Sequence, residues 1–134
     1  LAHLAIDGPG EEGATWSGSA LVCMAILASI KELCDNKLAE KAAENGARFI
    51  SELKALQKKY PVFITAVRGK GLMVGVDFSV HGRNISHALL REGVWAYYTG
   101  NKGQTLRFLP PLATPPEVLS EVVRRLERAM KSFI

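Results

Sequence analysis

Arg107 is the residue whose setting most demands a chemical reason. It lies in the run Thr105-Leu106-Arg107-Phe108-Leu109-Pro110-Pro111-Leu112, a lone cation in an apolar stretch that stops at two prolines. A charge in such surroundings normally has an anionic partner. A guanidinium offers two parallel donors to a carboxylate and keeps its charge at any physiological pH, so Arg107 can clamp the carboxylate of a small acid. The other reading is an arginine on the exposed face of an edge strand. Pro110 and Pro111 fit both, either holding Arg107 at a cleft or ending a strand.

A second candidate lies near the amino terminus. Gly8, Gly10, Gly13, Thr15, Ser17 and Gly18 make a glycine- and hydroxyl-rich lead into a helix, an arrangement that presents N–H groups and hydroxyls to a phosphate. The pattern is neither a P-loop nor a G-x-G-x-x-G after a strand, and a flexible lead explains the same composition. His3, His81 and His87 share no metal-ligand spacing. Lys70 sits between glycines, where a nucleophilic lysine would lack the burial that lowers its pKa, so a solvated turn lysine is the reading. Cys23 and Cys34 are too far apart on one helical stretch to be bridged and show no CxxC pattern, which makes them reduced thiols and points to the cytoplasm. Trp95, Tyr97 and Tyr98 alternate along a strand and are expected to pack.

The elements that must position these residues follow from periodicity. Ser17, Gly18 and Ser19 supply a helix start, and Leu21, Val22, Met24, Ala25, Ile26, Leu27 and Ile30 make the following helix apolar on all sides. Such a helix needs cover on every face, which implies packing against another subunit or domain. Asp35 or Asn36 is expected to cap a second helix, with Leu38, Ala42, Phe49, Leu53 and Leu56 inward and Tyr60-Pro61 at its end. Val62 to Val67 and Leu72 to Phe78 read as a hairpin around the turn Arg68-Gly69-Lys70-Gly71. Asn84 starts a short helix ending at Gly93. Val94 to Tyr98 and Thr105 to Phe108 form a strand pair joined by a polar turn over residues 99–103. Thr114, Pro115 and Glu117 spell a capping box for a last helix whose stripe is Leu119, Val122, Val123, Leu126, Met130 and Phe133. The order implies an α+β fold, a mainly antiparallel sheet with helices on one face.

The 134 residues, 48% of them hydrophobic, suffice for one domain with a real core. The 17 basic and 13 acidic residues are dispersed, so the net charge of +4 makes no block suited to nucleic acid or a membrane surface. No secretory signal is expected, and the apolar run Ala20 to Ala28 is too short to span a bilayer.

Four segments then converge on a family. They are Gly13-Ala14-Thr15-Trp16-Ser17-Gly18-Ser19-Ala20-Leu21-Val22-Cys23, Val67-Arg68-Gly69-Lys70-Gly71-Leu72-Met73-Val74-Gly75-Val76, Leu89-Leu90-Arg91-Glu92-Gly93-Val94 and Leu106-Arg107-Phe108-Leu109-Pro110-Pro111-Leu112. In order and separation they resemble the class III pyridoxal-phosphate-dependent aminotransferases, nearest the ornithine, acetylornithine and 4-aminobutyrate enzymes. The resemblance covers nearly the whole chain and about the last third of such an enzyme. It implies a cofactor-phosphate loop over residues 1–18, an interdomain helix over 19–34 and the small C-terminal domain of the fold type I architecture over 35–134. Thr15 matches the threonine that hydrogen-bonds the phosphate of pyridoxal 5'-phosphate from the neighbouring subunit of a homodimer. Arg107 matches the arginine that holds the α-carboxylate of the amino or 2-oxo acid.

The family usually follows its threonine with an aromatic, two glycines, Asn and Pro, where this chain has Trp16, Ser17, Gly18, Ser19 and Ala20. The family's cofactor-linking lysine and its pyridine-pairing aspartate lie upstream of the matched region, so the 134 residues alone are expected to be inactive. Two rival readings are a stand-alone non-catalytic homolog, acting as a dimerisation or carboxylate-binding module, and an unrelated amino-acid-sensing α+β domain. The latter has no need of the Arg107-Phe108-Leu109-Pro110-Pro111 run.

Overall fold

The computed structural model describes residues 15–101 and 103–133. The chain forms two compact units, Leu1–Asn36 and Lys37–Ile134. In the first, helix α1 spans Ala20–Asp35, and the Ser19 hydroxyl caps it by accepting from the Val22 N–H at 3.4 Å. None of its residues is buried, and Leu21, Met24 and Leu27 are 81%, 67% and 62% exposed.

The second unit opens with α2, Leu38–Lys59, which buries Leu38, Ala42, Phe49, Leu53 and Leu56 as the periodicity requires. Its cap differs from expectation. Asp35 ends α1, and the Asn36 amide donates to Glu32 Oε1 at 2.7 Å, so neither side chain is available to α2. The residue before α2 is Lys37, left-handed at φ 48°, with no side-chain cap. Gly46 was absent from the expected stripe but is buried. A Cβ there would stand 2.1 Å from the Gly71 carbonyl oxygen, so α2 rests directly on the turn between the first two strands.

Those strands are β1, Ile64–Lys70, and β2, Met73–Phe78. The turn is tighter than expected. Arg68, Gly69 and Lys70 stay in the ladder opposite Gly75, Val74 and Met73, and only Gly71 and Leu72 connect the strands. Gly71, at φ +54°, supplies the left-handed residue that this reversal needs.

Helix α3, Gly82–Arg91, begins two residues before Asn84, with His81 preceding its first turn, and ends before Gly93 at φ +80°. Strand β3 is Tyr97–Thr99, shorter than the expected run from Val94. Val94 N–H donates to Leu89 O at 3.0 Å, and Ala96 O accepts from the Ser86 hydroxyl at 2.6 Å. Partners from the α3 segment thus satisfy that stretch in place of the ladder. Strand β4 is Thr105–Phe108, and the antiparallel sheet runs β1-β2-β4-β3.

The last helix, α4, is Pro116–Met130, and the capping box does not form. Thr114 N–H donates to Pro111 O at 3.0 Å and its carbonyl accepts from Asn45 Nδ2 at 3.4 Å, which commits Thr114 to the preceding turn. Pro115 takes the cap position and Pro116 the first helical one. Leu119, Leu126, Ala129 and Met130 are buried and Val122 and Val123 partly so, while Phe133 lies beyond the helix.

Helices α2 and α3 pack on one face of the sheet and α4 packs against both of them, giving the expected α+β layering around one core. The covered face carries Val74, Val76, Phe78, Leu106 and Phe108, all 5% exposed or less. Phe49 meets Phe108 edge-on, their ring centres 5.7 Å apart.

Candidate functional site

Side chains on a strand alternate between faces, so burying Val74, Val76, Leu106 and Phe108 under the helices sends Gly75, Asp77, Thr105 and Arg107 to the other face. Two rows cross that second face. The first runs Arg68, Gly75, Arg107, Tyr97 from β1 to β3, and the second runs Ala66, Asp77, Thr105, Thr99. Two guanidiniums therefore flank a glycine, and a carboxylate stands in the next row.

The carboxylate is committed to one side. Asp77 Oδ2 accepts from Arg68 Nη1, and Asp77 Oδ1 accepts from the Thr105 hydroxyl at 2.5 Å. Arg68 Nη2 also reaches Thr105 Oγ1 at 3.4 Å. The hydrogen bond from Arg68 holds the Asp77 carboxyl below its ordinary range, with burial opposing and Thr105 assisting. Arg107 is exposed and forms no ion pair among the described residues. It lies opposite Tyr97, which is 55% exposed. The expected packing is found only in part: the Tyr97 ring stacks on Tyr98 with centres 5.3 Å apart, whereas Trp95 is 81% exposed. Trp95 also lines a 220 Å³ cavity with Phe49, Leu109, Pro110 and Pro111, so the paired prolines both end β4 and wall an apolar recess.

Thr15 begins a turn over residues 15–18 that leads into the Ser19 cap of α1, and it is exposed. Gly18 at φ +73° completes that turn. An exposed hydroxyl one turn before a helix N-terminus is a donor set that suits a phosphate. Gly8, Gly10, Gly13 and His3 lie outside the described residues. Thr15 and Arg107 belong to different units, each positioned by its own local structure.

The remaining candidates do not assemble into a site. His81 precedes α3, His87 is exposed on it, and no group that could hold a metal ion occurs among the described residues. Cys23 and Cys34 are free, exposed thiols. No helix among the described residues is long and apolar enough to cross a membrane. Sequence reasoning missed Arg68, Asp77 and Thr105 as companions of Arg107. Alternation along β2 sets Asp77 on the face away from Val76, but the assignment of Arg68 to a turn hides its place in the same layer.

Comparison with known proteins was decisive for kinship. A family model described as aminotransferase class-III matches residues 4–130. The ornithine aminotransferase of Bacillus subtilis is 33% identical over 129 residues, which are 96% of this chain and 31% of that protein. The acetylornithine aminotransferase of Methanocaldococcus jannaschii is 36% identical over 118 residues, 88% of this chain and 29% of that protein. Among solved structures, the acetylornithine aminotransferase of Elizabethkingia anophelis is similar with a TM-score of 0.82 at 32% identity, covering 94% of this chain and 32% of its own. The chain thus spans about a third of the length of these relatives.

Proposed function

Since this chain belongs to the class III aminotransferase family, we propose that it is the C-terminal segment of a pyridoxal-phosphate-dependent enzyme that moves an amino group from an amino acid or ω-amino acid to a 2-oxo acid. The observation that carries the reading is Arg107 itself. In a family-matched chain, the arginine expected to grip a carboxylate stands exposed on the sheet face away from α2 and α3, without an ion-pair partner among the described residues. Arg107 orients the substrate by bidentate hydrogen bonds, which fix both the position and the plane of the carboxylate. Thr15 holds the cofactor phosphate across a homodimer interface, with residues 1–18 as the phosphate loop, 19–34 as the interdomain helix and 35–134 as the small domain. Pyridoxal phosphate, when bound, supplies the electron sink for the chemistry at the amino carbon.

The names of the relatives make ornithine and its acetylated form the first amino donors to assay. Two unpaired thiols suit a cytoplasmic setting. In the complete enzyme, Arg107→Ala should lower kcat/KM for both amino and 2-oxo acids by roughly 10- to 100-fold, the equivalent of losing hydrogen bonds to a charged group. Arg107→Lys should recover little of it, because an ammonium lacks the planar fork. Unchanged kcat/KM in Arg107→Ala would remove Arg107 from substrate binding. The 134 residues alone should neither transaminate nor hold the cofactor. Borohydride reduction of a mixture with pyridoxal phosphate that yielded a single-site adduct together with turnover would refute that.

A further inference from the structure

We propose that Arg68 is a positioning residue for Arg107: by holding Asp77, it keeps that carboxylate off the Arg107 guanidinium and leaves Arg107 open to the carboxylate of a substrate. The inference rests on the carboxylate-binding reading of Arg107 and adds to it how the site stays available.

The geometry makes Asp77 a competitor. It lies on β2 in the row next to Gly75, directly opposite Ala66 on one side and Thr105 on the other. Arg68 and Arg107 are each two residues along from those partners, so Asp77 has the same diagonal relation to both. Diagonal neighbours in an antiparallel sheet lie roughly 7–8 Å apart, within reach of a long side chain. Gly75 itself puts no side chain between the guanidiniums; only the Thr105 methyl and the Arg68 stem reach over it.

Among the described residues Asp77 pairs with Arg68 alone, and the Thr105 hydroxyl of β4 occupies its second oxygen. One carboxylate is thereby spent on one guanidinium, and the second guanidinium keeps its charge for an incoming anion. Without Arg68, an ionised Asp77 would be tethered beside Arg107 at an effective concentration on the order of millimolar, competing with every substrate molecule.

The test is the rate at which phenylglyoxal modifies Arg107 in the 134-residue chain, read by peptide mass spectrometry. In the unaltered chain Arg107 should react several-fold faster than Arg68. Arg68→Gln should slow Arg107 several-fold, since Asp77 now pairs with it. Adding Asp77→Asn to Arg68→Gln should restore the original rate, and Arg68→Lys should keep it. Circular dichroism of residues 37–134 in each variant separates pairing from misfolding, since the proposal requires the slowing in a chain that keeps its folded signal. An Arg107 rate unaffected by Arg68→Gln, or one that stays slow in the double variant, overturns the proposal. Protection of Arg107 by 2-oxoglutarate in the unaltered chain reads the carboxylate assignment separately. Absence of protection with the variant pattern intact would overturn that assignment and leave the Arg68–Asp77 arrangement standing.

Discussion

At the scale of single residues, the second unit is governed by which carboxylate each guanidinium finds. Arg107 has none among the described residues, whereas Arg124, Arg125 and Arg128 share Glu121 and Glu92 between α4 and the end of α3. Hydrogen bonds from Arg125 and Arg124 lower the Glu121 carboxyl from 4.5 to about 2. A carboxyl whose folded-state pKa lies below its unfolded value stabilises the fold above the unfolded value, and that contribution disappears as pH falls through the folded one. Glu121→Gln should therefore lower the melting temperature at pH 7. The difference from the unaltered chain should shrink below pH 4.5 and close near pH 2. Because Glu121 is partly exposed, the effect should also weaken at high salt. Melting curves that differ equally at all pH values would contradict this account.

At the scale of elements, α2 rests directly on the β1–β2 turn, and the turn from Pro111 to Thr114 leads into α4. Gly46 has no room for a side chain, since its nearest neighbour is backbone that cannot swing aside. Gly46→Ala should cost about 1–3 kcal/mol in urea unfolding, as overpacking does, instead of the gain that Gly→Ala gives in an open helix. Thr114→Ala gives the contrasting result. A capping threonine would cost about 1 kcal/mol to remove, but no side-chain cap bond is made to α4, so the change should stay within about 0.5 kcal/mol. The capping box was legible as a pattern and still wrong, because the backbone of Thr114 was already claimed by Pro111 and Asn45. The same competition explains why Val94 to Ala96 left the ladder and why Asn36 capped nothing.

At the scale of the molecule, α1 presents apolar residues around its whole circumference with none buried, and a surface of that kind drives association. The isolated chain should sediment as concentration-dependent oligomers or aggregates. Replacing Leu21, Met24 and Leu27 with glutamate should shift it toward a monomer while the folded signal of residues 37–134 persists. A monomer at all concentrations before any replacement would count against the dimer reading. The amino-acid sequence alone determined the order of helices and strands, the buried stripe of α2 and part of that of α4, the layered α+β class and, through four ordered motifs, the family. All of these are set by local periodicity, turn chemistry and residue identity, which are legible along the chain. Only the tertiary structure decided the exact caps and turn, and only it decided that Asp77 answers Arg68 and leaves Arg107 alone. Those outcomes depend on strand register and on backbone groups choosing among partners distant in sequence, and a one-dimensional pattern does not record that choice.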